Sequence, residues 1–199
     1  DAGEPISIHI EDRGWTEDFN DREWTRSTYT WARGYNGLYA HLSTDGGRFF
    51  EESVKIDCCG YRNGFTRVGV SELADGRLAY AVCEHHPPTS HTTFLLTSAT
   101  QGRSWDPPTP ICSVPEGNFG EPHVIEVAPG ELLCMLRESR FNHHLHTCRS
   151  SDGGATWSDP LQTPMLGCPG HVLVLQDGRL LCSYGRRREP FGIRACLSE

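Results

Sequence analysis

A short motif recurs three times at nearly even spacing, and this repetition constrains the fold more than any other feature of the chain. The motif reads Ser-x-(Asp/Thr)-x-Gly-x-x-aromatic, with copies that start at Ser43, Ser98 and Ser150. A second motif, a glycine turn between apolar runs, recurs at the same spacing around Gly76, Gly130 and Gly178. Two turn motifs in phase at a period of about 50 residues indicate an internal repeat, and repeats of this length are typical of propellers and solenoids.

Each period contains the same series of short apolar runs, cut by Gly, Pro and Asp. In one unit these runs are "PHVIEV", "LLCMLRES", "LHTCRS" and "DPLQTPML", and their composition predicts four strands. "ELLCML" and "HVLVL" are almost continuously apolar, as strands are when both faces of their sheet are covered. Four antiparallel strands per repeat, with buried inner strands, predict an all-β fold built as a β-propeller.

The recurring motif resembles the Asp box, also called the BNR repeat, and the resemblance extends over nearly the whole chain. "SSDGGATW" matches the pattern at every defined position, whereas Thr100 replaces the Asp in the middle copy. In known proteins this motif joins the third and fourth strands of a blade, so we expect Asp45 and Asp152 to hold turns far from any active site. The resemblance implies the six-bladed architecture of sialidase-like proteins, present here as a partial propeller of about four blades.

The repeat also predicts how the chain is organised. We expect one propeller domain over residues 1–199, with units at about 1–60, 61–116, 117–167 and 168–199. Ser198 stands where a fourth Asp box begins, so we expect the domain to be truncated at its C-terminus. Exposed blade edges then favour self-association. Alternatively, the N-terminal run "PISIHI" completes the last blade.

Aligning the units on the glycine of the second motif locates the central mouth, where propellers carry their sites. Nine residues before that glycine stand Arg67, Glu121 and Pro169, and seven residues before it stand Gly69, His123 and His171. A position that varies among Arg, Glu and Pro while its flanks repeat indicates a role beyond packing. An exposed loop edge that is free to vary is the alternative interpretation.

Two segments resemble those of sialidases. "FTRVGVSELADGRLAY" resembles the Arg-Ile-Pro segment whose arginine grips the substrate carboxylate, which makes Arg67 a carboxylate-binding candidate although Gly69 replaces the proline. "GEPHVIEVAPGELLCMLRES" resembles a second such segment and brings in Glu121 and Arg137. Planar guanidinium groups match carboxylates. The predicted substrate-binding residues are Arg67, Arg137, Arg187, His123 and His171.

The catalytic groups of the sialidase scheme are a tyrosine nucleophile with a carboxylate partner and a separate acid. The loop "CEHHPPTSHTT" lacks the Asp that sialidases use as the acid, and Glu84, His85, His86 and His91 are the alternatives there. Tyr184 is available as a nucleophile, although packing is the commoner role of such a tyrosine. The predicted catalytic residues are therefore Glu121, Glu84 and Tyr184.

Other polar clusters indicate less. His144 and His146 lie on one face of a predicted strand, but a third ligand at fixed spacing is missing, so no metal site is predicted. The charged segment Thr16 to Ser27 offers Asp18, Asp21 and Glu23 to the mouth, although nothing in its spacing requires this. The Arg186 to Pro190 run is either an anion site or a solvated rim. We expect no cofactor.

Charge and cysteine content narrow the class of partner. The chain has 18 Lys and Arg against 26 Asp and Glu, a net charge of −8, which argues against general binding to nucleic acid or anionic membranes. Nine cysteines, mostly inside apolar runs, are expected to be free buried thiols. That expectation, with no signal peptide or apolar run of about 20 residues, favours a cytoplasmic location.

The sequence therefore predicts a sialidase-like glycoside hydrolase, an exo-alpha-sialidase in type. Its substrate would be a terminal acidic sugar, sialic acid or a related one, held through its carboxylate by arginines at the propeller mouth. Two alternatives stay open. One is a non-catalytic Asp-box propeller that binds a glycan or a protein, and the other is a structural unit of a larger assembly.

Overall fold

The described part of the chain is built from β-strands. The computed structural model describes residues 7–9, 24–25, 31–34, 38–61, 64–86, 90–115 and 117–199. Among these residues no helix is long and apolar enough to span a bilayer. The strands are β1 (Ser7–His9), β2 (Trp24–Thr25), β3 (Trp31–Gly34), β4 (Leu38–Leu42), β5 (Glu52–Ile56), β6 (Gly64–Phe65), β7 (Ser71–Glu72), β8 (Leu78–His86), β9 (Ser90–Ser98), β10 (Thr109–Cys112), β11 (Phe119–Ala128), β12 (Glu131–Glu138), β13 (His144–Ser150), β14 (Leu161–Leu166), β15 (Gly170–Val174), β16 (Leu180–Arg186) and β17 (Gly192–Leu197).

The strands form successive antiparallel sheets, each made of neighbouring segments of the chain. Blade 2 has the order β10-β9-β8-β6, with β7 also paired to β8; blade 3 is β11-β12-β13-β14, and blade 4 is β15-β16-β17. The N-terminal unit comprises a β1-β3-β2 sheet and a β4-β5 hairpin. The predicted all-β, partial propeller is confirmed. Blades 2 to 4 lie within the predicted repeat units, whose boundaries stay a prediction, as does the single domain over residues 1–199.

The first strand does not complete the last blade. Ser7–His9 pairs with Trp31–Gly34 inside the N-terminal unit, in the register Ser7 to Arg33 and His9 to Trp31. Among the described residues blade 4 has three strands, with β17 at its outer edge. The alternative role of the "PISIHI" run is therefore not the arrangement found.

Each sheet packs on the next through an apolar layer, which explains the continuous apolar runs. Along β12, Leu132, Cys134 and Leu136 face the layer shared with blade 2. The intervening Leu133 and Met135 face the layer shared with blade 4. A strand with both faces buried cannot alternate apolar and polar residues, and its side chains are almost completely removed from solvent.

The Asp boxes form the turns that join the third and fourth strands. In blade 3, Ser150 Oγ accepts from Gly154 N at 2.9 Å and donates to Asp152 Oδ1 at 2.7 Å. Asp152 Oδ1 also accepts from Thr156 N at 2.9 Å, and Trp157 Nε1 donates to the Gly154 carbonyl at 3.1 Å. These bonds make the turn a self-contained unit. Its Asp holds backbone N–H groups in place.

Strand register places the Asp box at one end of the blade and the predicted mouth at the other. Ser150 pairs with Leu132 at the start of β12, whereas Arg137 near the end of β12 pairs with Leu145. Ser198 stands in the matching position of blade 4, where its N–H donates to the Leu180 carbonyl at 2.9 Å. The Asp of the box is thus separated from Arg137 by most of the length of β12.

Candidate functional site

Arg67 lies at an interruption of the innermost strand of blade 2. Both β6, which ends at Phe65, and β7, which begins at Ser71, pair with β8, and the segment between them leaves the ladder. The Thr66 hydroxyl contacts the Ala81 carbonyl at 3.1 Å and the Val68 carbonyl at 2.9 Å, which holds this segment against β8. The Arg67 side chain is 61% exposed.

Glu121 occupies the equivalent interruption in blade 3. The β11–β12 register shifts between Gly120 and His123, so Glu121 lies in a bulge with φ of 47°. A residue with a Cβ in this left-handed region costs about 1–2 kcal/mol relative to its preferred backbone conformation. Bulges that redirect a side chain are common next to functional sites. Here the bulge directs the Glu121 carboxylate toward the seam, that is, the packing interface, between blades 2 and 3.

Two arginines from neighbouring blades converge on this carboxylate. Arg137 Nη1 donates to Glu121 Oε1 at 2.9 Å, and Arg67 Nε lies 3.3 Å from the same oxygen. The Glu121 side chain is only 5% exposed, compared with 29% for Arg137. Two guanidinium groups against one carboxylate leave the cluster with one positive charge in excess, so it can accept a further anion.

The cluster has unused hydrogen-bonding capacity. Glu121 Oε2 and Arg137 Nε are both buried, and neither has a hydrogen-bond partner among the residues that the structure describes. A buried polar atom without a partner is costly, and such atoms mark places where a ligand or ordered water completes the network. Burial is the main cause that raises the pKa of the nearby Cys83 thiol to about 12. The hydrogen bond from the backbone N–H of Glu121 lowers this pKa, whereas the charge of the Glu121 carboxylate raises it.

Glu138, next to Arg137, organises the loop beside the cluster. Although burial opposes its ionisation, backbone N–H groups hold the pKa of its carboxyl below the ordinary value. It accepts from Phe141 N at 2.8 Å and from Asn142 N and His143 N at 3.1 Å, and also from Arg140 N. Sequence reasoning missed this role. The available signal was a carboxylate directly before a short polar loop, which is typical of turn-capping.

His123 and His171 form a second pair at the innermost strands. Their rings stack with centroids 4.4 Å apart and an interplanar angle of 27°. His123 is buried, whereas His171 is exposed. His123 Nδ1 accepts a hydrogen bond from Val172 N at 3.0 Å, so one side chain of β11 is bonded to the backbone of β15. Burial, reinforced by His171, lowers the pKa of His123 to about 4.

The other predicted site residues lie elsewhere. Glu84 is buried on the side of β8 that faces the N-terminal unit, and its charge adds to burial in raising the pKa of the Tyr61 phenol. Tyr184 packs in the layer between blades 3 and 4, with its hydroxyl 3.7 Å from Cys196 Sγ. Arg187 is exposed just after β16. No hydrogen bond or ion pair joins Tyr184 or Arg187 to Glu121 within the described part of the chain.

Several sequence candidates lie outside the described residues: Asp18, Asp21 and Glu23, and the side chains of His85, His86 and His91. His144 and His146 are described, and both use a ring nitrogen on the backbone. His144 Nδ1 is 3.0 Å from the Thr163 carbonyl, and His146 Nδ1 is 3.0 Å from the His144 carbonyl. Among the described residues no group of three or more metal-ligating side chains could hold a metal ion.

The family of the chain follows from its repeats. The family description "BNR repeat-like domain" matches residues 20–198. The chain belongs to this family. Membership agrees with the Asp boxes of blades 2 and 3 and confirms the predicted BNR-repeat family, and the two sialidases described below share the fold of this BNR-repeat chain.

Three solved structures illustrate these likenesses of the BNR-repeat fold. A protein of unknown function from Dyadobacter fermentans is 26% identical, with a TM-score of 0.79 over 88% of this chain and 50% of that one. The Hadza microbial sialidase Hz136 is 21% identical, with a TM-score of 0.65 over 83% of this chain and 35% of that one. The K499G mutant of NanB sialidase from Streptococcus pneumoniae is 19% identical, with a TM-score of 0.64 over 85% of this chain and 27% of that one.

The chain spans half the length of the first of these proteins and about a third or less of the two sialidases. At these identities the two sialidases support a common fold. No curated protein sequence matches the chain.

Proposed function

We propose that this BNR-repeat chain forms part of a sialidase-like glycoside hydrolase that holds a terminal acidic sugar through its carboxylate. One observation carries the proposal: Arg67 and Arg137 converge from two blades on the buried Glu121, and the cluster keeps an excess positive charge. Arg67 engages Glu121 through Nε, which leaves the outer edge of its largely exposed guanidinium available for a bidentate contact with a carboxylate.

Glu121 supplies the chemistry in this proposal. Sialidases use a tyrosine nucleophile with a carboxylate partner, and the unpartnered Oε2 of Glu121 is a suitable acceptor for a proton or a hydroxyl. The tyrosine passes its proton to Glu121 as its oxygen bonds to the anomeric carbon, while the glycosidic C–O bond breaks and the leaving oxygen takes a proton from the acid. Water then displaces the tyrosine at that carbon and returns a proton to the acid, and the released tyrosine recovers its own proton from Glu121. Glu84 as the acid, Tyr184 as the nucleophile and Arg187 as a rim contact belong to this proposal as candidates.

The test is hydrolysis of a fluorogenic sialoside and of uronic-acid analogues by the full chain. We expect Arg67→Ala to lower kcat/KM by roughly 10- to 100-fold, because a charge-assisted contact to the substrate is lost. Glu121→Gln should lower kcat by roughly 100-fold or more. Arg179→Ala is the matched control, since that arginine pairs with exposed Asp177 in the turn between β15 and β16. Turnover unaffected by Arg67→Ala and Glu121→Gln would refute the proposed site.

A non-catalytic glycan-binding propeller is the second candidate, and the position of Tyr184 favours it. The ring packs between blades and the hydroxyl contacts a thiol, so this tyrosine is placed as a packing residue. Binding of acidic sugars that is sensitive to Arg67→Ala, without turnover of any substrate, would select this candidate. Loss of turnover in Tyr184→Phe, with an unchanged melting temperature, would instead support the enzyme.

A further inference from the structure

The strand pairing of blade 4 shows which way the Val172 backbone faces. Leu175 N donates to the Arg179 carbonyl across the β15–β16 turn, and residues of an antiparallel pair alternate between bonding to the partner strand and bonding away from it. In this register Val172 stands opposite Cys182 as a pair not bonded to each other. Its N–H therefore points to the free edge of β15, the edge that faces the centre of a propeller.

His123 occupies that free edge and can do so in only one neutral form. Its Nδ1 accepts the Val172 N–H at 3.0 Å, so Nδ1 carries a lone pair and the ring proton is on Nε2. Within the described part of the chain no group accepts a hydrogen bond from His123 Nε2. This atom is also not one of the fully buried polar atoms without a partner, so it keeps some access to solvent. His123 thus presents a fixed N–H donor without a formal charge.

His171 enlarges this polar surface. Its exposed ring stacks on that of His123, and both stand seven residues before the glycine turn of their blades. His123 follows Glu121 by two residues on β11. Whereas Glu121 reaches Arg67 of blade 2, His123 reaches the backbone of blade 4, so β11 contributes to both clusters.

We infer that His123 and His171 form a subsite that hydrogen-bonds the hydroxyl groups of the acidic sugar whose carboxylate binds at Arg67. The inference rests on the proposed function and deepens it. The Nε2–H donor of His123 beside the exposed His171 imidazole suits hydroxyl groups, which both donate and accept, and it lacks the formal charge with which a guanidinium attracts a carboxylate. The cluster of Arg67, Arg137 and Glu121 then attracts the carboxylate of the sugar, and the imidazole pair binds its hydroxyl groups.

The first arm of the test requires no ligand. Long-range ¹H–¹⁵N spectra of the histidine rings at pH 7 should show His123 neutral with its proton on Nε2. An Nδ1–H tautomer or a charged ring would overturn the inference, because the donor would then be absent or the Val172 bond broken.

The second arm compares two acids by NMR titration of the full chain: N-acetylneuraminic acid and tetrahydropyran-2-carboxylate, which has a ring and a carboxylate but no hydroxyl groups. His123→Asn keeps an acceptor for Val172 N–H and removes the Nε2–H donor. We expect His123→Asn and His171→Ala each to weaken binding of the sugar about fivefold to tenfold, and to leave the hydroxyl-free acid unchanged. Arg67→Ala should weaken both acids.

Each outcome has a distinct meaning. If the wild type binds both acids equally, or the two histidine variants bind the sugar like the wild type, the subsite is refuted. Binding of the carboxylate at Arg67 is not refuted by either result. If the wild type binds neither acid, the proposed function fails and the subsite fails with it.

Discussion

At the scale of single residues, the uncharged state of His123 is a consequence of burial. The ring lies against His171 and accepts a backbone N–H, so a proton on Nδ1 would break that bond and place a charge in a poorly solvated position. In the unfolded chain the same imidazole has the ordinary pKa of 6.5, compared with about 4 in the folded state.

This difference predicts a pH dependence of stability. Between the two pKa values the unfolded state binds a proton that the folded state does not, so the free energy of unfolding should fall as the pH is lowered from 6.5 to about 4. The loss should be roughly 3 kcal/mol. Urea unfolding at several pH values across this range measures the loss. In His123→Asn the free energy of unfolding should fall less over the same range, because the variant lacks the titrating imidazole. Equal slopes in the two proteins would contradict the assignment.

At the scale of single elements, the three Asp boxes share a backbone but differ in what surrounds them. Gly47, Gly102 and Gly154 occupy the same position of the motif with φ of 83°, 84° and 95°. A Cβ at Gly47 would meet nothing within 4 Å, and one at Gly102 would reach Leu42 at an ordinary 3.7 Å. At Gly154 it would lie 2.5 Å from Leu95 Cδ2, across the seam between blades 2 and 3.

Alanine at these three positions should therefore destabilise unequally. Each substitution carries about 1 kcal/mol of backbone strain. Gly154→Ala should cost about 1–3 kcal/mol more, because the added methyl group overlaps the buried Leu95 side chain of the neighbouring blade. Chemical denaturation of the three variants tests this ranking, with Gly47→Ala and Gly102→Ala as internal controls. Three equal losses would show that the inter-blade contact does not contribute.

At the scale of the whole molecule, stacked sheets decide which cysteines are accessible. All nine cysteines are thiols rather than half-cystines, and of these nine only Cys59 and Cys196 are exposed. Burial is the main cause that raises the pKa of Cys58 and of Cys182 to about 11 each. Thiols react as thiolates, so restricted access protects the seven buried groups, and the raised pKa protects Cys58 and Cys182 further.

A thiol titration with an aromatic disulfide reagent at pH 8 should find two fast thiols in the native protein. The remaining seven should react only when denaturant is added. Cys59→Ser and Cys196→Ser should each remove one fast equivalent. A third fast thiol in the native state would mean that a blade seam opens readily under these conditions.

Local sequence predicted most of the architecture. Turn chemistry at Ser150, Asp152 and Gly154 depends on atoms a few residues apart, so the motif could be recognised without the structure. The continuous apolar run of β12 likewise records burial on both faces. Alignment of the repeat units placed Arg67 with Glu121, and His123 with His171, at equivalent positions. Their roles in binding stay predictions.

The sequence by itself determined the repeat, the strands and the stacking of sheets, because each depends on spacing within one unit. Only the tertiary structure decided which side chains meet across a seam. Arg67 and Arg137 share Glu121 because a bulge with positive φ turns that carboxylate between blades. His123 is a neutral donor because Val172 belongs to a different blade. Contacts between residues about 50 positions apart arise from how the sheets stack, and local pattern does not encode their geometry.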